Sequence, residues 1–297
     1  MSTPTYPFVG SKSRAYYKLE NTFGTFDAAA ICYSLPWTSI EPSKTPNLLA
    51  VKTVGSDQYN ALKRGMRRGD VKLAWALPSE AAILIKECWD LYALDLELLY
   101  HDDTWAYPSN LVSLLFTGCR CNHMSVEAEA SDRDDEAMLI RAAADFIAQK
   151  LTTAVAKQTS GTYSDTFATA SKAFHDGYIK MDGAAMTECV AWRVDFNFNL
   201  KPVPVIRAAD GDLMKYLQSR RKEVSADLSF DFESKARFDD VVNDTARTWE
   251  IGLGSAGHYV TLTDAKASLV SVPTKADDVL SCKVKLIPLS VDVARPY

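Results

Sequence analysis

The chain has 297 residues, 47% of them hydrophobic and 24% charged, with a formal net charge of −5 and a pI near 5.5. This is the composition of an ordinary globular protein. It excludes the basic footprint of a tight nucleic-acid binder, and its apolar runs are too short for a membrane span. The length suits two domains of about 150 residues each. The opening MSTPTYPFVGSKSR lacks the apolar core of a signal peptide. Six cysteines in a chain this long read as reduced thiols in a cytoplasm, not as a disulfide framework.

In chain order, residues 1–25 read as an extended N-terminal arm. Strand patterns follow near 27–40 and 70–77. Between them PSKTPNLLAVKTVGSDQYNALKRGMRRG reads as a long polar loop, and such loops are usually functional. Leu73, Trp75 and Leu77 alternate along a strand; Ser79 then caps a helix carrying Ala82, Ile83 and Lys86. Further strands are expected near 94–100 and 119–128. AMLIRAAADFIAQK at 137–150 is Ala-rich, yet Met138, Ile140, Ala142, Ala144 and Phe146 alternate with polar positions, so it reads as a strand. Residues 151–180, rich in Thr, Ser and Ala, read as a linker. Strands are then expected near 186–200, 224–232, 248–253, 258–263, 266–272 and 280–292, with a second long loop over 200–222. The class is mainly β, a β-sandwich or barrel with short helices.

The stretch SADLSFDFESKARFDDVV, residues 225–242, carries the sharpest signal. Ala226, Leu228, Phe230 and Phe232 share a buried face, and Ser225, Asp227, Ser229 and Asp231 a wet one. After the cap Ser234, Phe238, Val241 and Val242 share one side of a helix expected to cover the strand. An offset of 155 relates this stretch to residues 69–90: 228 − 73, 230 − 75 and 232 − 77 all give it. The same offset pairs Trp37 with Trp192, Leu62 with Leu217 and KRGMRR with QSRRKE. The pattern suggests an internal duplication, with domains over 26–155 and 156–297.

Several motifs tempt. GLGSAG at 252–257 satisfies G-x-G-x-x-G, but HYVTLT follows it and reads as a strand, so the glycines make a hairpin turn. CRCNH places Cys119, Cys121 and His123 on one strand face, but the second ligand pair of a structural zinc site is missing. His101 with its two following aspartates reads as a polar turn. The four histidines, His101, His123, His175 and His258, share no pattern. The expectation is no enzyme, no cofactor and no metal.

The order of strand, long loop, alternating strand, short helix and further strands resembles the tail tube (major tail) proteins of long-tailed bacteriophages. FTGCRCNHMSVEAEA at 116–130, RRKEVSADLSFDFESKARFDDVV at 220–242 and the closing VTLTDAKASLVSV…KVKLIPLSV carry the resemblance, over residues 27–292 as two copies. It implies two tandem tail-tube-like domains whose strands join an oligomeric inner β-barrel, in a homotrimer of pseudo-sixfold symmetry that stacks into a tube for DNA ejection. Implied partners are copies of itself, the tape-measure protein, the tail terminator and tail-tip proteins, and DNA in passage, with no membrane. The implied location is the virion tail, after assembly in the host cytoplasm. A wide barrel has a wet interior, so Asp227, Ser229, Asp231 and Lys72 are expected to face the lumen. Lys63, Arg64, Arg67, Arg68, Arg220, Arg221 and Lys222 are expected in loops that reach the next ring. The alternatives are a carbohydrate- or ligand-binding β-sandwich using exposed aromatics such as Trp37 and Trp105, and an enzyme whose site the sequence does not display.

Overall fold

Alternation governs nearly every element of the computed structural model, which describes residues 13–34, 36–45, 48–51, 61–64, 68–78, 81–101, 111–130, 139–164, 171–204, 214–231, 236–255, 257–272 and 281–294. The strands are β1 Arg14–Leu19, β2 Cys32–Ser34, β3 Trp37–Thr45, β4 Leu48–Val51, β5 Ala61–Arg64 and β6 Arg68–Ala76, followed by helix α1 Ala81–Trp89. Next come β7 Leu94–His101, β8 Leu111–Glu129, β9 Arg141–Ala148, β10 Lys150–Ala154 and β11 Tyr163–Ser164. After a 3-10 turn at Phe174–Asp176 come β12 Tyr178–Met181, β13 Ala184–Ala185, β14 Cys189–Asn197, β15 Leu200–Pro204, β16 Met214–Ser219 and β17 Glu223–Asp231. Helix α2 Ala236–Val242 precedes β18 Ala246–Ser255, β19 His258–Ser271, β20 Ser281–Ile287 and β21 Ser290–Ala294. Among the described residues the fold is mainly β with two short α-helices.

Two groups of four strands repeat one another. The first runs β3–β6–β9–β8 and the second β14–β17–β20–β19, all antiparallel. Their registers match residue for residue. Ile40 faces Leu73 as Trp192 faces Leu228, and Lys72 faces Asp145 as Asp227 faces Lys285. Even the β-bulges coincide: Cys121/His123 answers Ala267/Leu269, and Trp37/Ser39 answers Cys189/Ala191. Bulges are specific features of a ladder rather than defects, so shared ones mark shared architecture.

The offset between the groups is not constant. It is 155 for β6 and β17, but 152 for β3 and β14 (192 − 40), 146 for β8 and β19 (269 − 123), and 140 for β9 and β20 (285 − 145). Register therefore sets Trp37 against Cys189, not against Trp192 as a constant offset requires.

The long strands β8 and β19 each serve two layers. They turn at a residue with positive φ, Gly118 (φ 65) and Asp264 (φ 49), which are equivalent at the offset of 146. Before the turn, β8 pairs with β7 and β10 while β19 pairs with β18 and β21. The outer strands β1 and β12 extend these layers on β7 and β18. The apolar faces meet in one contiguous core that includes Trp75, Leu73, Phe146, Phe196, Leu228, Phe230 and Trp249.

Several expectations need revision. Arg14–Leu19, read as part of an arm, is a buried strand on β7. The stretch read as a linker supplies β10, β11 and β12. The two long loops contain hairpins, β4–β5 and β15–β16. The strands expected at 258–263 and 266–272 are one, β19. Residues 141–148 form a strand as expected. Phe232, Ser79 and Ser234 lie outside the described residues.

Candidate assembly surfaces

The two groups are joined edge to edge within the chain. β14 pairs with β8 over seven residues, with Arg193 opposite Glu127 and Asp195 opposite Ser125. The result is an eight-strand run, β3–β6–β9–β8–β14–β17–β20–β19. Its ends are open among the described residues: β3 pairs along its length only with β6, and β19 from Ala267 to Ser271 pairs only with β20. An unpaired strand edge is a template for another chain. Pro42 sits in β3, a placement typical of edge strands.

The wet face of the run carries the residues expected in a lumen. Asp227, Asp231 and Lys72 are exposed and Ser229 is half-buried, while Ala226, Leu228 and Phe230 on the reverse are buried. The face is not simply acidic. One row reads Arg141, Glu127, Arg193, Asp227, Lys285 across successive strands. Arg193 bridges the joint, with Nη1 2.9 Å from Glu127 Oε2 and Nε 2.8 Å from Asp195 Oδ2. Lys72 stands between Glu41 and Asp145. Alternating signs across a sheet stabilise it modestly and leave little net field.

The bulge at Cys121/His123 separates residues that plain alternation would place on one face. Cys119 and Cys121 are buried, whereas His123 reaches the wet face and lies 3.5 Å from Asp195. No cluster of metal-binding side chains occurs among the described residues. The glycines of GLGSAG lie at the β18–β19 turn, where Gly254 and Gly257 take positive φ as hairpin turns require. Of the aromatics considered for a ligand site, Trp37 donates its Nε1–H to Ala15 O at 2.6 Å and stacks edge-on with Trp75 at 5.6 Å. It is part of the framework. Trp105 lies outside the described residues.

The basic residues expected in loops divide. Arg220 and Arg221 are exposed in the β16–β17 turn. Arg68 opens β6 and pairs with Asp70 at 2.6 Å. Lys63 and Arg64 belong to β5, and Arg67 lies outside the described residues. Lys222 is committed within the chain: it donates to Trp89 O and lies 4.2 Å over the Trp89 ring, and burial lowers its pKa. The hairpin it follows is also seated internally. Arg120 Nη1 donates to Leu217 O at 2.7 Å and Gln149 Nε2 to Met214 O at 2.6 Å, so β15–β16 rests on the first group.

A buried polar cluster went unseen in the sequence. Glu97 accepts from Ser113 Oγ (2.8 Å), Gln158 N (2.6 Å) and Tyr163 Oη (2.8 Å), which fixes the connecting segment to β7. Beside it Lys18 lies 3.6 Å from Asp95 and donates to Asp27 O. Burial, with Glu20 adjacent, pushes the Asp95 carboxyl up to about 9. Asp95 and Glu97 alternate with the core residues Leu94, Leu96 and Leu98 and are buried on the other face of β7, and acids set into an otherwise apolar strand were the available signal.

A family model for phage tail tube proteins matches residues 10–292. No curated protein sequence matches the chain. Among solved structures, similarity is found to a chain from the virion of a native gene transfer agent particle, at 12% identity over 40% of this chain and 95% of that one, with TM-score 0.35. It is also found to a chain of the anti-feeding prophage baseplate, at 9% identity over 52% and 97%, TM-score 0.37. A third is a type six secretion system protein, at 14% identity over 61% and 93%, TM-score 0.31.

Proposed function

The chain belongs to the phage tail tube protein family, and on that premise we propose that it polymerises head to tail into trimeric rings that stack as the tube through which DNA passes. It is a structural protein of the virion tail. The two four-strand groups are diverged copies of one unit, the first within about 26–155, extended by β1, and the second within 156–297.

One observation carries the ring. The joint between copies inside the chain, β8 with β14, has an equivalent at each open end, β19 with β3. A second chain that lays its β3 on β19 repeats the internal joint, and a heterologous contact of this kind closes into a ring when the rotation permits. Equivalence fixes the register. Asp195 opposite Ser125 becomes Ser43 opposite Ser271 of the next chain, by offsets of 152 and 146. The wet face then lines the bore, with Asp227, Ser229, Asp231 and Lys72 toward water. Its mixed charge presents DNA with no continuous basic track on which to bind. The tape-measure protein would occupy this bore before DNA, and terminator and tip proteins would cap the tube.

The test is a paired variant, Ser43→Cys with Ser271→Cys, oxidised after concentration and compared with each single variant. Closed covalent trimers, seen as rings by negative stain, are the expected product. Particles of single-chain size at every concentration would overturn the ring.

A further inference from the structure

Equivalent positions in the two copies have opposite exposures. Ile147 is 4% exposed and Gln149 7%, whereas their counterparts Ile287 and Leu289, at the offset of 140, are 54% and 81% exposed. The helices differ likewise. Their C-terminal hydrogen bonds align them: Leu91 N to Cys88 O and Tyr92 N to Glu87 O in α1, Asp244 N to Val241 O and Thr245 N to Asp240 O in α2. Leu91 and Asp244 both take positive φ, as helix-terminating residues do. Ile85 thus answers to Phe238, Cys88 to Val241 and Trp89 to Val242. Ile85 and Cys88 are buried; Phe238 and Val241 are exposed, and Val242 is 81% exposed.

The cover over the first copy comes from the second. The β15–β16 hairpin is tied to Gln149 and Arg120, β21 lies along α1, and Trp89 meets Phe196 at 5.8 Å and Phe198 at 6.2 Å. The end of α2 lies near this end of β20, since Lys266, opposite Ile287, pairs with Asp244 just past the helix. The chain also contains an equivalent of the covering hairpin. The β4–β5 hairpin matches β15–β16 in register, with Ala50 opposite Leu62 as Pro202 is opposite Leu217. It follows the open strand β3.

We propose that Phe238, Val241, Val242, Ile287 and Leu289 form the seat for a second copy of this chain, which places the end of its β3 and its β4–β5 hairpin there. The assignment rests on the ring reading and adds to it a lateral role for the hairpin, beside its neighbour in the same ring rather than toward the next ring. The patch is continuous with the open edge, because α2 lies on β19. The contact is not a copy of the internal one in chemistry. Lys44 occupies the place of Phe196, so an aliphatic stem meets Val242 where two aromatic rings meet inside the chain. The seam between chains is therefore the weaker seam.

Val242→Asp and Leu289→Asp test this separately, with Ile31→Asp, an exposed apolar residue elsewhere, as control. Melting of the unassembled protein should be unchanged, since all three side chains are at least half exposed. The concentration needed for ring formation should rise roughly tenfold or more for the first two, because a carboxylate is desolvated at the joint, and stay put for Ile31→Asp. Rings forming as in the wild type in both variants would overturn the seat while leaving the ring intact. Rings that close but fail to stack would overturn it too, by moving the patch to the contact between rings. Failure of the wild type itself to form rings would instead overturn the ring reading. Should one variant lose its fold, the other decides.

Discussion

Helices α1 and α2 occupy the same place beside their respective four-strand groups and end in the same hydrogen-bond pattern, yet the apolar side of one is buried and that of the other lies at the surface. α1 carries AAILIKECW and turns Leu84, Ile85 and Cys88 into the core. α2 carries ARFDDVV and leaves Phe238, Val241 and Val242 at the surface, while Asp240 turns to Arg247 at 2.8 Å. The difference is not one of local pattern, because both helices have an apolar side. It lies in whether another copy stands beside that side. Among the described residues the second group covers this side of the first, and exposed apolar residues gather on the second, the kind of patch that marks an interaction site.

The comparison can be broken at four levels. The largest effects should come from the strand residues that both copies bury equally. Trp75→Ala and Phe230→Ala each remove a fully buried aromatic at equivalent register, and each should cost about 3–5 kcal/mol in chemical denaturation. A large cost for one and none for the other would show that the copies do not share a core.

The helices should diverge. Ile85→Ala should cost about 2–4 kcal/mol, whereas Phe238→Ala in unassembled protein should cost under about 1 kcal/mol. Equal costs would mean that α2 is as buried as α1.

The buried polar cluster on β7 supplies a pH dependence. The Asp95 carboxyl has its folded pKa raised to about 9, mainly by burial, above its usual value of 3.8. Between these values the native state keeps a proton that the unfolded state has released. Stability from this group is thus undiminished below about pH 4 and declines as pH rises toward 9. Asp95→Asn should therefore gain on the wild type with rising pH and show its smallest advantage in acid. A gap that widens toward acid would reverse the assignment.

The smallest effect concerns the joint's wet face. Arg193→Ala removes exposed pairs to Glu127 and Asp195 and should change stability by about 0–1 kcal/mol. A loss of several kcal/mol would make the internal joint depend on charge rather than on Trp89, Phe196 and Phe198.

Much of this was legible from residues. Alternation over 70–77 and 224–232 located β6 and β17 and identified their faces, because one side of each strand meets a core and the other water. The Ala-rich 137–150 segment could be read as a strand on alternation against its helix propensity. What escaped has specific causes. The hairpins β4–β5 and β15–β16 were hidden because prolines at 202 and 204 interrupt β15 and because β4 and β5, at four residues each, are too short to display a period. His123 was assigned to the face of its neighbours because a bulge inserts one residue without any sequence mark. Trp37 was matched with Trp192 because a single offset cannot follow loops of different length.

The sequence by itself determined the β class, the faces of the two central strands, the existence of two similar halves and the resemblance to a tail tube protein. Each depends on contacts between residues near in the chain, or on a period that local backbone geometry imposes. The tertiary structure alone decided that β14 closes on β8, that β1 and β12 join β7 and β18, and that Lys222 and β15–β16 are used up inside the chain. It also decided which of two similar helices is covered. Those outcomes depend on pairings far apart in sequence, and on which copy lies next to which. No local pattern encodes either, because the same apolar side suits a core and a partner equally well.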